Sequence, residues 1–238
     1  MRRIHWPTTA RRGELIVKEF EQDPQAEVWI FLDAQQQVQA EQQHDEPLMP
    51  LENLLFVRRP KLELPPSTLE YEISIAASLA HFFVGQERAV GLVVQDRTSS
   101  VITADRNERQ EHKILETLAF VEGKGDMSVS ALAAAHAHQL PKGSTLVLLT
   151  PTTSTETLLL VDDLQRRGLR PVVILLDAGS FGGHSGTSSI VRRLEEQGCP
   201  VRTVRCGTNL SETFAGLFAP RLSQDASAWQ TPILSHLT

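Results

Sequence analysis

The residues of this 238-residue chain that can do chemistry gather where predicted strands end. Asp33 and Gln35 follow the apolar run 27–32 (EVWIFL). Thr150, Thr152 and Thr153 follow 145–149 (TLVLL), and Asp177 with a glycine-rich loop follows 172–176 (VVILL). Asp126 and Ser128 sit just before a predicted helix. A hard divalent cation wants several oxygen ligands, so Asp33 with Ser128 and Thr152 offers a partial shell built on a single well-placed carboxylate. The plainer alternative has Asp33 closing its strand while the hydroxyls cap helix starts. Gly179, Gly182, Gly183 and Gly186 lie between a strand and a helix, where backbone amides can hold a phosphate. Their spacing matches neither the dinucleotide fingerprint nor the P-loop, and no P-loop lysine is present.

Hydrolytic chemistry fails on spacing. Ser185, in Gly183-His184-Ser185-Gly186, is one residue short of a nucleophile elbow and follows a long loop. His136 and His138 stand two apart on a predicted helix, so they point to different faces and do not share a metal. Cys199 and Cys206 flank a short strand with no partnering base, and read as inert thiols in a reducing compartment. With no catalytic set assembled, the residues favour a binding or scaffold module, not an enzyme, with neither metal nor cofactor. The alternative is a phosphate- or nucleotide-binding domain using the glycine loop.

The elements that position these residues are short β-branched runs alternating with amphipathic helices. Strands are expected at 27–32, 89–94, 145–149, 172–176 and 201–204, with a short antiparallel edge at 100–103. Helices are expected from Ser67 to about Gly85, around 114–121, from Ser128 to about His138, and over 154–167 and 188–197. The first carries Leu69, Ile73, Ala76, Ala80 and Phe83 at helical spacing. Strands buried on both faces and joined by such helices make a doubly wound, mostly parallel α/β sheet with helices on each side. In such sheets ligands bind outside the carboxyl ends of the strands, where strand order reverses.

This domain is expected over residues 25–206, with a Pro-punctuated irregular excursion at 35–66. A segment at 1–24 precedes it, including a half-exposed strand at 15–21. A C-terminal tail follows at 207–238, with one short helix at 211–218 and its last twenty residues loosely attached. A net charge of −6 argues against nucleic acid as the main partner. No apolar run approaches the roughly 20 residues needed to cross a bilayer, so the chain reads as cytoplasmic and makes no membrane contact itself.

The first thirty-three residues add what periodicity cannot. Ile4-His5-Trp6, then Ala10-Arg11, Gly13, Leu15, Val17, Glu19 and Glu21, lead into Val28-Trp29-Ile30-Phe31-Leu32-Asp33. This pattern resembles the C-terminal half of domain-of-unknown-function family 58, a bacterial family whose core is similar to von Willebrand factor A domains. Gly91 to Val94, Thr145 to Thr150, and Gly168 before the run 171–176 extend the likeness. The resemblance implies a cytosolic domain working with a MoxR-type AAA+ ATPase in the assembly or maturation of a client. Family members carry transmembrane helices and a small β-region before the motif. This chain begins at the motif, which reads as a truncated frame or a fragment of an anchored protein.

The resemblance also implies a metal site built on D-x-S-x-S, a distant Thr and a distant Asp. Here Asp33-Ala34-Gln35-Gln36-Gln37 keeps the Asp and replaces both serines. Thr150-Pro151-Thr152 stands where the related fold often has Thr-Asp-Gly, and Ser128, after Gly125-Asp126, stands at the distant hydroxyl. The site is expected to be degenerate, its edge (Asp33, Gln35, Gln37, Asp126, Ser128, Thr150, Thr152) serving as an interaction surface. Trp6, His5 and Arg11 suit pinning the N-terminal segment onto the sheet. The other reading has His5 and Arg11 lining a partner surface.

Overall fold

Buried β-branched runs dictate the centre of the molecule. The structure is a computed structural model that describes residues 26–42 and 64–210. The expectations for Ile4, His5, Trp6, Ala10, Arg11, the strand at 15–21 and the helix at 211–218 lie outside the described residues, as does most of the excursion at 35–66. The chain separates into two units, Met1–Cys206 and Gly207–Thr238, and the first contains the whole sheet.

Strand β1 (Val28–Leu32) is buried along its whole length. It pairs in parallel with β2 (Val90–Gln95) on one side and with β4 (Thr145–Thr150) on the other. Beyond β4 lie β5 (Arg170–Leu176) and β6 (Val201–Val204), both parallel. β3 (Ser99–Asp105) closes the opposite edge, antiparallel to β2. The order is β3-β2-β1-β4-β5-β6. This is the doubly wound, mostly parallel α/β architecture expected, with β3 longer than its predicted core.

Among the described residues five helices cover the sheet: α1 (Thr68–Gly85), α2 (Glu108–Leu118), α3 (Val129–His136), α4 (Glu156–Arg166) and α5 (Thr187–Glu196). On one face Trp29, Phe31, Leu146, Leu148, Val173 and Leu175 pack against Val129 and Leu132 of α3, Val161 and Leu164 of α4, and Ile190 and Leu194 of α5. Helix α1 packs on β1, β2 and β4, and α2 packs on β2, β3 and α1. Among the described residues no helix is long and apolar enough to cross a membrane.

Three local expectations need correction. The inner face of α1 is Tyr71, Glu72, Ile75, Ala76, Leu79, Ala80 and Phe83, while Leu69 and Ile73 are only half-buried. An acidic residue inside the apolar stripe rotates the true inner face away from the one that periodicity indicates. Ser67 stands at the N-cap, yet its side chain makes no capping hydrogen bond. The glycine loop opens as a short 3-10 turn (Ala178–Phe181) whose Phe181 is buried edge-on against Tyr71 at 5.0 Å.

A large residue at the centre of a sheet demands a small neighbour. A Cβ on Gly91 would lie 2.6 Å from the ring of Trp29. That ring is also held by its Nε1, which donates to Glu27 Oε2 at 2.7 Å. Gly91→Ala is expected to cost about 2 kcal/mol in denaturant unfolding. Adding Trp29→Leu to the Gly91→Ala protein should recover part of the loss. A loss below about 0.5 kcal/mol would mean the indole swings clear.

Candidate functional site

The chain passes from β1 to β2 and β3 on one side and then crosses back from β3 to β4 on the other side of β1, so strand order reverses between β1 and β4. Asp33 leaves β1 at this crevice, its N–H donating to the Leu149 carbonyl at 3.0 Å. Its side chain is only 1 % exposed. Oδ2 accepts from Thr150 Oγ1 at 2.6 Å, and Oδ1 accepts from the Gln35 N–H at 3.2 Å. The Thr150 hydroxyl in turn accepts from the Thr152 N–H at 3.0 Å. Burial pushes the Asp33 carboxyl up to about 6, against the opposing pull of Thr150 and the backbone at Gln35 and Val129.

Two loops clasp this carboxylate. Gln35 forms a parallel bridge with Gly125: the Gln36 N–H donates to the Gly125 carbonyl at 2.9 Å and the Gly125 N–H to the Ala34 carbonyl at 2.8 Å. Gln95, at the end of β2, donates to Asp126 Oδ1 at 3.0 Å and accepts from the Met127 N–H at 3.1 Å. Asp96 accepts from the Glu122 and Lys124 N–H groups. The segment after β1 is tied down at its far end as well, through the Glu41–Ser67 bridge and the Ala40 N–H donating to Thr68 Oγ1 at 2.9 Å. Its described part, 35–42, is therefore a tethered loop, more ordered than the irregular excursion expected.

The structure brings together Asp33, Gln35 and Thr150 from the expected set, and corrects how they are presented. Asp33 and Thr150 are buried and form the floor of the crevice, not part of an exposed edge. Thr152 does not reach Asp33, since its Oγ1 accepts from the Ser154 N–H. Ser128 turns its Oγ to the Ala131 N–H and caps α3. Gln37 and Asp126 lie on the exposed rim with Gln36 and Met127.

Sequence reasoning missed Glu72, Gln39 and Thr68. Gln39 Nε2 donates to the Asp33 carbonyl, and its Oε1 accepts from Thr68 Oγ1 at 2.6 Å. Glu72, on α1, is completely buried. A glutamate between Tyr71 and Ile75 on an otherwise apolar helix face was the signal that pointed to it.

The donor set does not fit a divalent cation. Each oxygen of Asp33 already accepts from the protein, glutamines stand in place of both serines, and Ser128 and Thr152 are spent on backbone amides. Among the described residues no group of three or more His, Cys, Asp or Glu side chains converges to hold a metal. The glycine loop is flanked by a carboxylate that is itself ion-paired. Asp177 sits beside it, accepting from Thr187 Oγ1 at 2.8 Å and from Arg205 Nε at 3.0 Å. A phosphate at the start of α5 would face that carboxylate. Cys199 is buried, which pushes its thiol up to about 11, and Cys206 is half-buried.

The sequence matches no family model and no curated protein. Solved structures are similar. One is the conserved hypothetical protein BatB from Bacteroides thetaiotaomicron, with a TM-score of 0.51 and 12% identity, covering 80% of this chain and 94% of that one. Another is an aerotolerance-related membrane protein from Bacteroides fragilis NCTC 9343 carrying multiple mutations to serines. Its TM-score is 0.51 and its identity 15%, covering 80% of this chain and 96% of that one. At these identities the likeness concerns the fold alone, the doubly wound, mostly parallel α/β sheet that the strand order shows.

Proposed function

We propose that the protein is a non-enzymatic von Willebrand A-like interaction module that docks a protein partner on the rim of the β1/β4 crevice without a bridging cation. One observation carries this reading. The carboxylate at the switch point is closed off by the protein's own donors, while the residues around it stand exposed. A floor of that kind supports a surface for contact. The partner proposed, from the resemblance to domain-of-unknown-function family 58, is a MoxR-type AAA+ ATPase acting on a client in the cytoplasm. The net charge of −6 supports a protein partner over nucleic acid.

The partner is tested by copurification of tagged protein from a cell that expresses such an ATPase, followed by binding of the purified pair. Asp126→Lys on the rim should weaken the complex at least about tenfold, a loss of roughly 1.4 kcal/mol. A stable, monodisperse protein that captures no such ATPase would remove this partner from the proposal. Cation independence is tested separately. Millimolar magnesium is expected to leave the melting temperature unchanged in both the native protein and Asp33→Ala. A rise in the native protein that the variant lacks would restore a metal to the interface.

A further inference from the structure

Glu72 is the least compensated group among the described residues. Both carboxylate oxygens are buried without a hydrogen-bond partner among the described residues, on a helix face otherwise built of Tyr71, Ile75, Ala76 and Leu79. The Gln39 side chain and the Asp33 backbone lie near enough to ease its charge, but neither completes a hydrogen bond with it. Gln39 is already engaged, donating to the Asp33 carbonyl and accepting from Thr68 Oγ1. Thr68 also receives the Ala40 N–H. These bonds tie the loop after β1 to the first turn of α1, one helical turn from Glu72. The glutamate therefore lies beneath the loop that carries Asp33.

An ionised carboxylate in such a place needs a counter-charge, and otherwise takes up a proton. Asp33 is the titratable group whose charge bears on Glu72, and it has the same sign; among the described residues no lysine, arginine or histidine offsets it. Gln39, the loop side chain that bears on Glu72, and Thr68, one turn before it on α1, are neutral.

We propose that a proton on Glu72 neutralises the acidic floor of the β1/β4 crevice and so lets the tethered loop at 35–42 lie over it. The inference rests on the cation-free reading of the crevice. Burial, with the Asp33 charge behind it, holds the Glu72 carboxyl well above its ordinary 4.5. The sign follows. A folded value above the unfolded one gives stability that is complete below about 4.5 and is lost as pH rises toward the folded value.

The test compares the native protein with Glu72→Gln, which is the same size and permanently neutral. The variant is expected to melt higher than the native protein at about pH 8, by roughly 5 °C or more, with the gap closing toward about pH 4.5. Native-minus-variant infrared difference spectra should show the carbonyl band of a protonated carboxyl persisting above about pH 4.5, the ordinary value for Glu. A variant that melts lower at every pH would overturn the proposal, as would absence of the band. Stabilisation of the native protein by magnesium or calcium, absent in Glu72→Gln, would overturn it too and make Glu72 an ionised ligand. Failure to capture an ATPase would sink the partner reading and leave this result untouched.

Discussion

Replacing Gly125 by alanine is expected to lower the melting temperature by roughly 6–12 °C, from a loss of about 3 kcal/mol. Space sets this effect, since the backbone angle at Gly125 is an ordinary one. A Cβ there would overlap the Gln95 carbonyl oxygen and lie 2.9 Å from the Ala34 carbonyl oxygen. Both obstacles are backbone atoms at strand ends, so neither can rotate aside as a side-chain tip would. Relief requires the loop to lift, which breaks the bridge to Gln35 and uncovers the Asp33 carboxylate. Gly85→Ala is the control, because a Cβ at that helix end meets nothing within 4 Å. It should be neutral or stabilise by up to about 1 kcal/mol. A Gly125→Ala protein melting within about 2 °C of the native one would show that the clasp yields more easily than its geometry implies.

The second large effect is a pH dependence that runs against the habit of acid denaturation. Asp33 titrates near 6 in the folded protein, against 3.8 for the free side chain. Between these values the folded state binds more protons than the unfolded one, so stability falls as pH rises through the window. The Asp33 contribution is complete below about pH 4 and is lost by about pH 6. It amounts to about 3 kcal/mol, from 1.36 kcal/mol per pH unit over the shift. Urea unfolding at half-unit steps between about pH 4 and 7 measures it. Asp33→Asn isolates it from Glu72, whose titration acts with the same sign. The asparagine oxygen can still accept from the Gln35 N–H, and the Thr150 hydroxyl can turn to accept from the new amide. The variant should therefore keep its fold and show a shallower slope between about pH 4 and 6, retaining only the part that Glu72 supplies. Equal slopes in both proteins would mean that Asp33 has an ordinary acidity despite its burial.

Strand identity was legible because the strands are buried on both faces. Runs such as VWIFL and TLVLL have few alternatives in a chain of this length, and the helices between them fix a parallel sheet. Asp33 was legible as the residue closing the central strand. Its partner was not. Thr150 and Thr152 are the same residue type two positions apart, and only the pitch of β4 decides that Thr150 reaches the carboxylate while Thr152 turns to the Ser154 amide. Ser128 carried two readings, as ligand and as cap. The choice depended on where α3 begins, which periodicity locates only to within a residue or two. Glu72 was hidden for a different reason. Reading a helix by its apolar residues treats every charged position as outward-facing, and Glu72 is an inward-facing acid. The two positions nearest it in that reading, Leu69 and Ile73, were accordingly assigned more burial than they have.

The hydrogen bond between Thr150 and Asp33 joins residues 117 positions apart. Closing so long a segment carries an entropic cost that no local structure offsets, so contacts of this span form late in folding. A chain emerging during synthesis exposes β1 long before β4 exists to lie beside it. Until then Asp33 has no threonine to accept from, and the crevice has no second wall. The rim around Asp33 thus exists only once the central sheet is complete. A partner that binds there binds finished protein and passes over nascent or half-folded chains.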